Sequence, residues 1–181
     1  MQTHNPLIFA CGDVAGPYPF THVAAYQASI CVRNALFRKI AWSKADYSNI
    51  TWATFTDPEL AHLGLTEQEA RARYDGIKVY ASDYNASDRA KTDRAQEGKV
   101  KIITDKKHTI LGAHICGAQA GEIMQGLLVA KSQNIPLDKL GQIMYIYPTL
   151  SEVIKKTAAQ SLTEKMDNPL IKFLLKIMRG V

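Results

Sequence analysis

"KVKIITDKKHTILGAHICG", residues Lys99–Gly117, decides how this chain is read. Two short runs rich in β-branched residues stand on either side of the polar break "KKH", the pattern of a hairpin between two antiparallel strands. Upstream, "IKVYASDY" (77–84) alternates apolar and polar residues and predicts a third strand. "TWATFT" (51–56) predicts a fourth, stopped by Asp57-Pro58. Between them, "LTEQEARARY" (65–74) carries Thr66 followed three residues later by Glu69, a capping box that opens a short helix.

Helical patterns follow the hairpin. Residues 121–133 read as an amphipathic helix with Glu122 in its first turn, where the macrodipole favours an anion. "IPLDKLGQI" (135–143) reads as a short helix or turn. "PTLSEVIKKTAAQSL" (148–162) reads as a helix with Pro148 near its start, where a missing N–H costs little. Residues 51–162 are therefore expected to form an α+β unit, an antiparallel sheet with flanking helices.

The beginning of the chain has a different pattern. Residues 7–11 predict a short buried strand, Gly12-Asp13 a turn, and residues 22–41 a helix, with Val23, Tyr26, Ile30, Phe37 and Ile40 at near-helical spacing. A second stripe of Ala24, Ala28, Cys31 and Ala35 is small enough for close approach. The polar stretch 43–51 marks a boundary. One strand and one helix cannot make a core alone, so residues 1–50 read as part of another domain.

Composition narrows the classes further. The chain of 181 residues is 46% hydrophobic and 22% charged, ordinary for a soluble globular protein. No apolar run approaches the roughly 20 residues of a membrane span, and no signal peptide is visible. Cys11, Cys31 and Cys116 lie far apart in apolar stretches, which predicts buried thiols in a reducing, cytoplasmic setting and no metal site. The net charge of +5 is concentrated beyond residue 154, where six cations face only Glu164 and Asp167. No basic face with stacking groups accompanies it, so nucleic-acid binding is not expected. In the tail, residues 163–181, Leu170, Ile171, Leu174, Leu175 and Met178 would form an apolar side against Lys172, Lys176 and Arg179. Such a helix docks on protein or makes a weak contact with an anionic membrane surface.

Taken in order, the strand–Gly12-Asp13–loop–helix pattern, "TDPELAHLGLTEQEA" (56–70), "ILGAHICGAQAGEI" (110–123) and "YPTLSE" (147–152) resemble the pyridine nucleotide-disulfide oxidoreductases over about residues 5–160. These FAD enzymes include dihydrolipoamide dehydrogenase, glutathione reductase and mercuric reductase. The resemblance implies that residues 51–162 are the C-terminal dimerisation domain and residues 1–50 the end of the FAD-binding domain. It implies that Gly12 and Asp13 form the last FAD-binding element, with Asp13 accepting from a ribityl hydroxyl. Thr21, His22 and Val23 would open a helix whose N-terminus faces the flavin pyrimidine edge; the match at His22 is to the backbone. His114, mid-strand, reads as a core histidine. The family's GxGxxG turn, redox cysteine pair and NAD(P)H domain are not in this sequence. The expectation is thus a C-terminal portion of an FAD-dependent, NAD(P)H-using homodimer, inactive and flavin-free when isolated. A stand-alone non-catalytic homodimerisation module is the alternative.

One position departs from the resemblance. Where the thiol enzymes have a histidine before the proline, with a glutamate that orients it, this chain has Tyr147, and Glu152 follows five residues later; Tyr145 stands where some members have another histidine. An imidazole titrates near 6.5 and a phenol near 10, so Tyr147 can donate a hydrogen bond but is a poor base for a thiol.

Overall fold

The computed structural model describes residues 1–37, 40–166 and 177. The chain divides into two compact units, Met1–Ser48 and the chain from Asn49 onward.

The first unit centres on helix α1, Thr21–Leu36. Its buried face is Val23, Gln27, Ile30, Cys31 and Asn34, so two of the five buried positions are polar. Tyr26, Phe37 and Ile40, expected on an apolar face, are exposed, and the helix ends five residues earlier than the spacing predicts. Asn34 explains part of this: its amide donates to the Ser43 carbonyl and accepts from the Ser43 N–H, both at 2.8 Å, which fastens the chain beyond the helix back onto it. The strand expected at 7–11 is not formed. The segment turns at Asn5–Pro6 and makes one bridge, Gln2 to Phe9, leaving Leu7 and Ile8 exposed, because no second strand among the described residues of this unit lies beside it. The cysteine expectation also fails in part: Cys31 is buried, but Cys11 is exposed and Cys116 only half-buried.

The second unit is a five-stranded antiparallel sheet in the order β1-β2-β5-β4-β3. Along the chain it runs β1 (Thr51–Thr54), β2 (Glu59–Gly64), α2 (Glu67–Arg73), β3 (Lys78–Asp83), α3 (Asp88–Thr92), β4 (Gly98–Thr104), β5 (Ile110–Gly117), α4 (Ala120–Ser132), α5 (Leu137–Leu140) and α6 (Glu152–Met166). The β4–β5 hairpin forms as read. Asp105 Oδ1 accepts from the N–H groups of Lys107 and Thr109, both at 2.8 Å, and His108 takes the left-handed conformation that the tight turn needs (φ 66°). The capping box of α2 is complete in both directions. Strand β2 carries no periodic signal, yet it pairs with β5 along its whole length and with β1 over residues 60–63. Helix α6 starts at Glu152 rather than near Pro148; residues 149–154 enter it through i→i+3 bonds, with the Thr149 carbonyl also taken by Ser87 Oγ at 3.1 Å.

Alternation along the strands sorts the core. Ala61, Leu63, Val100, Ile102, Ala113 and Ile115 share one face, which α4 and α6 cover with Ile123, Met124, Leu127, Val153 and Ile154. On the other face a polar row crosses the sheet in register: Trp52, His62, His114, Lys101. The Trp52 and His62 rings stack at 3.8 Å, and His62 meets His114 at 4.8 Å. Helix α2 borders this row; Glu67 pairs with Lys101 and with Arg71. The tail helix expected beyond residue 166 lies outside the described residues, apart from Ile177. Among the described residues no helix is long and apolar enough to cross a membrane.

The two imidazoles make stability depend on pH. Burial holds both below the usual histidine range; the His62 charge adds to this at His114, while hydrogen bonds to the Gly64 and Leu65 carbonyls act the other way. The unfolded chain therefore binds protons that the folded chain refuses once pH falls below about 6.5, and stability drops from there down to the folded values. The carboxylates held low, Glu67, Glu69, Asp88 and Glu164, act only in a more acidic window. The urea midpoint should fall between about pH 7.5 and about pH 5, and the double variant His62→Gln/His114→Gln should flatten that slope. An unchanged slope in the double variant would assign the loss to other groups.

Candidate functional site

Each unit holds one of the two places that the sequence singles out. In the first unit, Gly12 adopts φ 79°, ψ −155°, a conformation that L side chains rarely take. A Cβ there would stand 3.4 Å from Ala24 Cβ, so Gly12 lies directly on the first turns of α1. The fully buried Gln27 holds it: Gln27 Oε1 accepts from the Gly12 N–H at 2.7 Å, and Nε2 donates to the Gly16 carbonyl at 2.9 Å and the Tyr47 hydroxyl at 2.8 Å. One side chain thus closes both ends of the loop from Gly12 to Gly16. Asp13 opens a 3₁₀ turn, Asp13–Ala15, within that loop and is exposed. Helix α1 has no side-chain cap. Phe20 is its N-cap in extended conformation, and Thr21, His22 and Val23 fill the first turn, whose N–H groups have no i−4 partner within the helix. Thr21 and His22 are exposed, Val23 is buried, and the His22 ring stacks on Phe20 at 5.6 Å. Gly12, Asp13 and the helix start are therefore neighbours.

In the second unit, Tyr147 and Glu152 are not joined. The Tyr147 hydroxyl donates to Asp88 Oδ2 at 3.1 Å, and Asp88 Oδ1 pairs with Lys91 at 3.3 Å. Glu152 stands in the first turn of α6 with Oε2 buried and without a hydrogen-bond partner. Two further bonds tie the same segments: Ser87 Oγ to the Thr149 carbonyl at 3.1 Å, and Lys156 Nζ to the Ala86 carbonyl. The hydrogen bond that Tyr147 donates to Asp88, then the Asp88 charge, hold the Tyr147 phenol above its usual range; Lys91 and Tyr147 hold the Asp88 carboxyl below its own. Burial raises the Tyr145 phenol. Around Tyr147 the segment shows an apolar surface, with Ile143, Met144 and Ile146 exposed.

Sequence reasoning missed Gln27 and Asp88. Gln27 had no signal beyond its helical register with Val23 and Ile30. Asp88 lies 59 residues from Tyr147, and no local pattern connects them. An open groove of about 610 Å³, lined by residues 56–59, 94–97, Ala118 and Gln119, contains none of the predicted site residues. It borders the N-terminus of α4, which the Glu59 carboxylate already occupies by accepting from the Gly121 N–H at 3.1 Å. Among the described residues no three His, Cys, Asp or Glu side chains are placed to hold a metal ion.

Residues 50–158 match the family model described as the pyridine nucleotide-disulphide oxidoreductase dimerisation domain. The chain belongs to the pyridine nucleotide-disulphide oxidoreductase family. It is 34% identical over 160 residues to a dihydrolipoyl dehydrogenase of Rhizobium etli, covering 86% of this chain and 32% of that protein. It is 35% identical over 156 residues to a mycothione reductase of Mycobacterium tuberculosis, covering 82% and 33%. Among solved structures it superposes on the HOCl-induced flavoprotein disulfide reductase RclA of Escherichia coli with TM-score 0.76 and 27% identity, covering 83% of this chain and 35% of that one. LpdA of Mycobacterium tuberculosis gives TM-score 0.75 and 27% identity, with 84% and 33% covered. The chain spans about a third of the length of the curated relatives it matches.

The Asp88–Tyr147 contact can be read by titration. In this family member, Asp88→Ala should bring the Tyr147 phenol down towards its ordinary value near 10. The Tyr147→Phe variant, subtracted in an ultraviolet titration, isolates that one phenol. An Asp88→Ala curve that overlays the wild type would show that the bond does not persist in solution.

Proposed function

We propose that this chain acts as the C-terminal part of an FAD-dependent NAD(P)H oxidoreductase, supplying flavin contacts from its first unit and a homodimer interface from its second. The carrying observation is the Gln27 clamp, which sets Gly12 on α1 and leaves the Asp13 carboxylate exposed beside an uncapped helix N-terminus.

The residues fit the group. A carboxylate accepts strongly from a sugar-like hydroxyl, which suits Asp13 to the ribityl chain. The first-turn N–H groups of Thr21, His22 and Val23, with the positive end of the helix dipole, favour negative charge at a pyrimidine edge. Gly12 takes a backbone conformation, φ 79°, that would strain any other residue. When bound, FAD would supply the hydride acceptance from a reduced nicotinamide. Tyr147, held protonated by the bond it donates to Asp88, would present its oxygen as an acceptor at the subunit boundary and would not take a proton from a thiol, which separates this chain from relatives that turn over dithiols. Its segment, with the exposed Ile143, Met144 and Ile146, forms the dimer contact in this reading, and a matching surface on a second copy would bury it.

The isolated chain should purify colourless and bind FAD more weakly than about 10 μM, since Asp13 and the helix start are a few contacts to a large cofactor. A yellow fragment would overturn the division of the flavin site. In the flavoenzyme that carries this chain, Asp13→Ala should weaken flavin retention about tenfold, roughly 1.4 kcal/mol; unchanged retention would remove Asp13 from the site. Sedimentation at tens of micromolar should show a dimer that Ile146→Glu dissociates, and a monomeric wild type would count against the interface.

A further inference from the structure

Cys11 and Cys31 lie on facing elements of the first unit. Cys31, buried on α1, points its Sγ at the Ala10 carbonyl oxygen, 3.7 Å away. One turn earlier on the same helix face, Gln27 takes the Gly12 N–H. The backbone is thus fastened to α1 on both sides of Cys11. The thiols feel each other: the Cys31 thiol is raised first by burial and next by the Cys11 charge. The two differ in access, since Cys11 is exposed and Cys31 is buried. An exposed thiol that can meet an oxidant, beside a shielded one that can resolve it, is the arrangement a two-step thiol oxidation needs.

We propose that Cys11 and Cys31 form a redox pair that closes to an intramolecular disulfide when the chain meets a peroxide. The Cys11 thiolate attacks one peroxide oxygen, the O–O bond breaks, and Cys11 becomes a sulfenic acid while the other oxygen leaves as hydroxide and is protonated to water. The Cys31 sulfur then attacks the Cys11 sulfur, the S–O bond breaks, and a second water leaves with the Cys31 proton. The two sulfurs together give up two electrons, and the peroxide takes them. The bond would lock residues 10–12 onto α1, immediately before the Gly12-Asp13 turn. The proposal stands apart from the flavin reading, because its test follows thiols and mass alone.

The test uses the full 181-residue chain, reduced and then treated with a small excess of hydrogen peroxide. Reactive thiols under denaturing conditions should fall from three to one, with Cys116 the survivor, and dithiothreitol should restore them. Both cysteines lie in a single tryptic peptide, residues 1–33, because Arg33 is the first basic cleavage site. That peptide should become lighter by two hydrogens and take up no alkylating label. Cys31→Ser should stop Cys11 at a sulfenic acid that dimedone traps, and Cys11→Ser should leave Cys31 reduced. A Cys11 sulfenic or sulfinic acid with Cys31 still alkylatable would overturn the proposal. So would a bridge to Cys116, a bridge between two chains, or a peptide that peroxide leaves unchanged.

Discussion

The ring of Tyr84 lies where a side chain at Gly117 would have to stand. A Cβ built on Gly117 falls within 2.7 Å of three ring carbons, and one on Gly98, directly across the β4–β5 pair, comes within 3.1 Å of a fourth. Two opposed glycines thus leave a flat seat at the end of the sheet, and the largest of the fully buried side chains fills it, donating its hydroxyl to the Ala118 carbonyl at 3.2 Å. Seating Tyr84 also positions the residues next to it in the chain. The 3₁₀ turn Tyr84–Ala86 leads at once into Ser87 and α3, and these present the donor and acceptor that hold Thr149 and Tyr147. Packing at the sheet end, through two absent side chains, therefore helps determine where Tyr147 points.

What could be read from the sequence was what is decided locally. The hairpin at 99–117 carries its own turn chemistry in Asp105, and the α2 capping box needs only residues 66–69. The motifs that place the chain in its family are likewise contiguous. The misreadings came where burial is settled by distant partners. Spacing put Tyr26, Phe37 and Ile40 on the buried face of α1, but the helix buries Gln27 and Asn34 instead, because a loop and a following segment need those amides. Leu7 to Cys11 has strand composition and lacks a neighbouring strand among the described residues, so composition alone misled. Strand β2, opened by Glu59 and broken in pattern by His62, reads as polar on one face until the Trp52–His62–His114 row is seen in register.

The buried polar contacts also specify the ends of elements. Tyr80 has one hydroxyl proton, and it goes to Glu164 Oε2 at 2.6 Å. In the 3.2 Å contact with His108, Nδ1 then carries a proton and donates to the Tyr80 oxygen. Lys78 completes the carboxylate with an ion pair at 2.8 Å, and the His108 carbonyl accepts from the Leu137 N–H at 2.9 Å. Strand β3, the hairpin turn, α5 and the far end of α6 thereby meet at one satisfied cluster. Tyr80 and His108 are buried, so leaving either without its partner costs about 1–3 kcal/mol, whereas water can serve the partly exposed Glu164 and Lys78.

A tyrosine before Pro148, where the family resemblance implies a histidine, differs in more than its pKa. A phenol oxygen stands farther from its backbone than either imidazole nitrogen, so Tyr147 reaches the carboxylate on α3 and not the one on its own segment. Asp88 is an exposed carboxylate already balanced by Lys91, and a neutral donor suits it without adding charge. Glu152 is left with a buried oxygen that no side chain among the described residues fills, a position made tolerable by the N-terminal turn of α6, where the helix dipole favours an anion. An imidazole placed at 147 would therefore not by itself join Glu152 as a base with its orienting partner. The segment would also have to release its hold on α3, which the Ser87–Thr149 bond maintains whatever residue stands at 147.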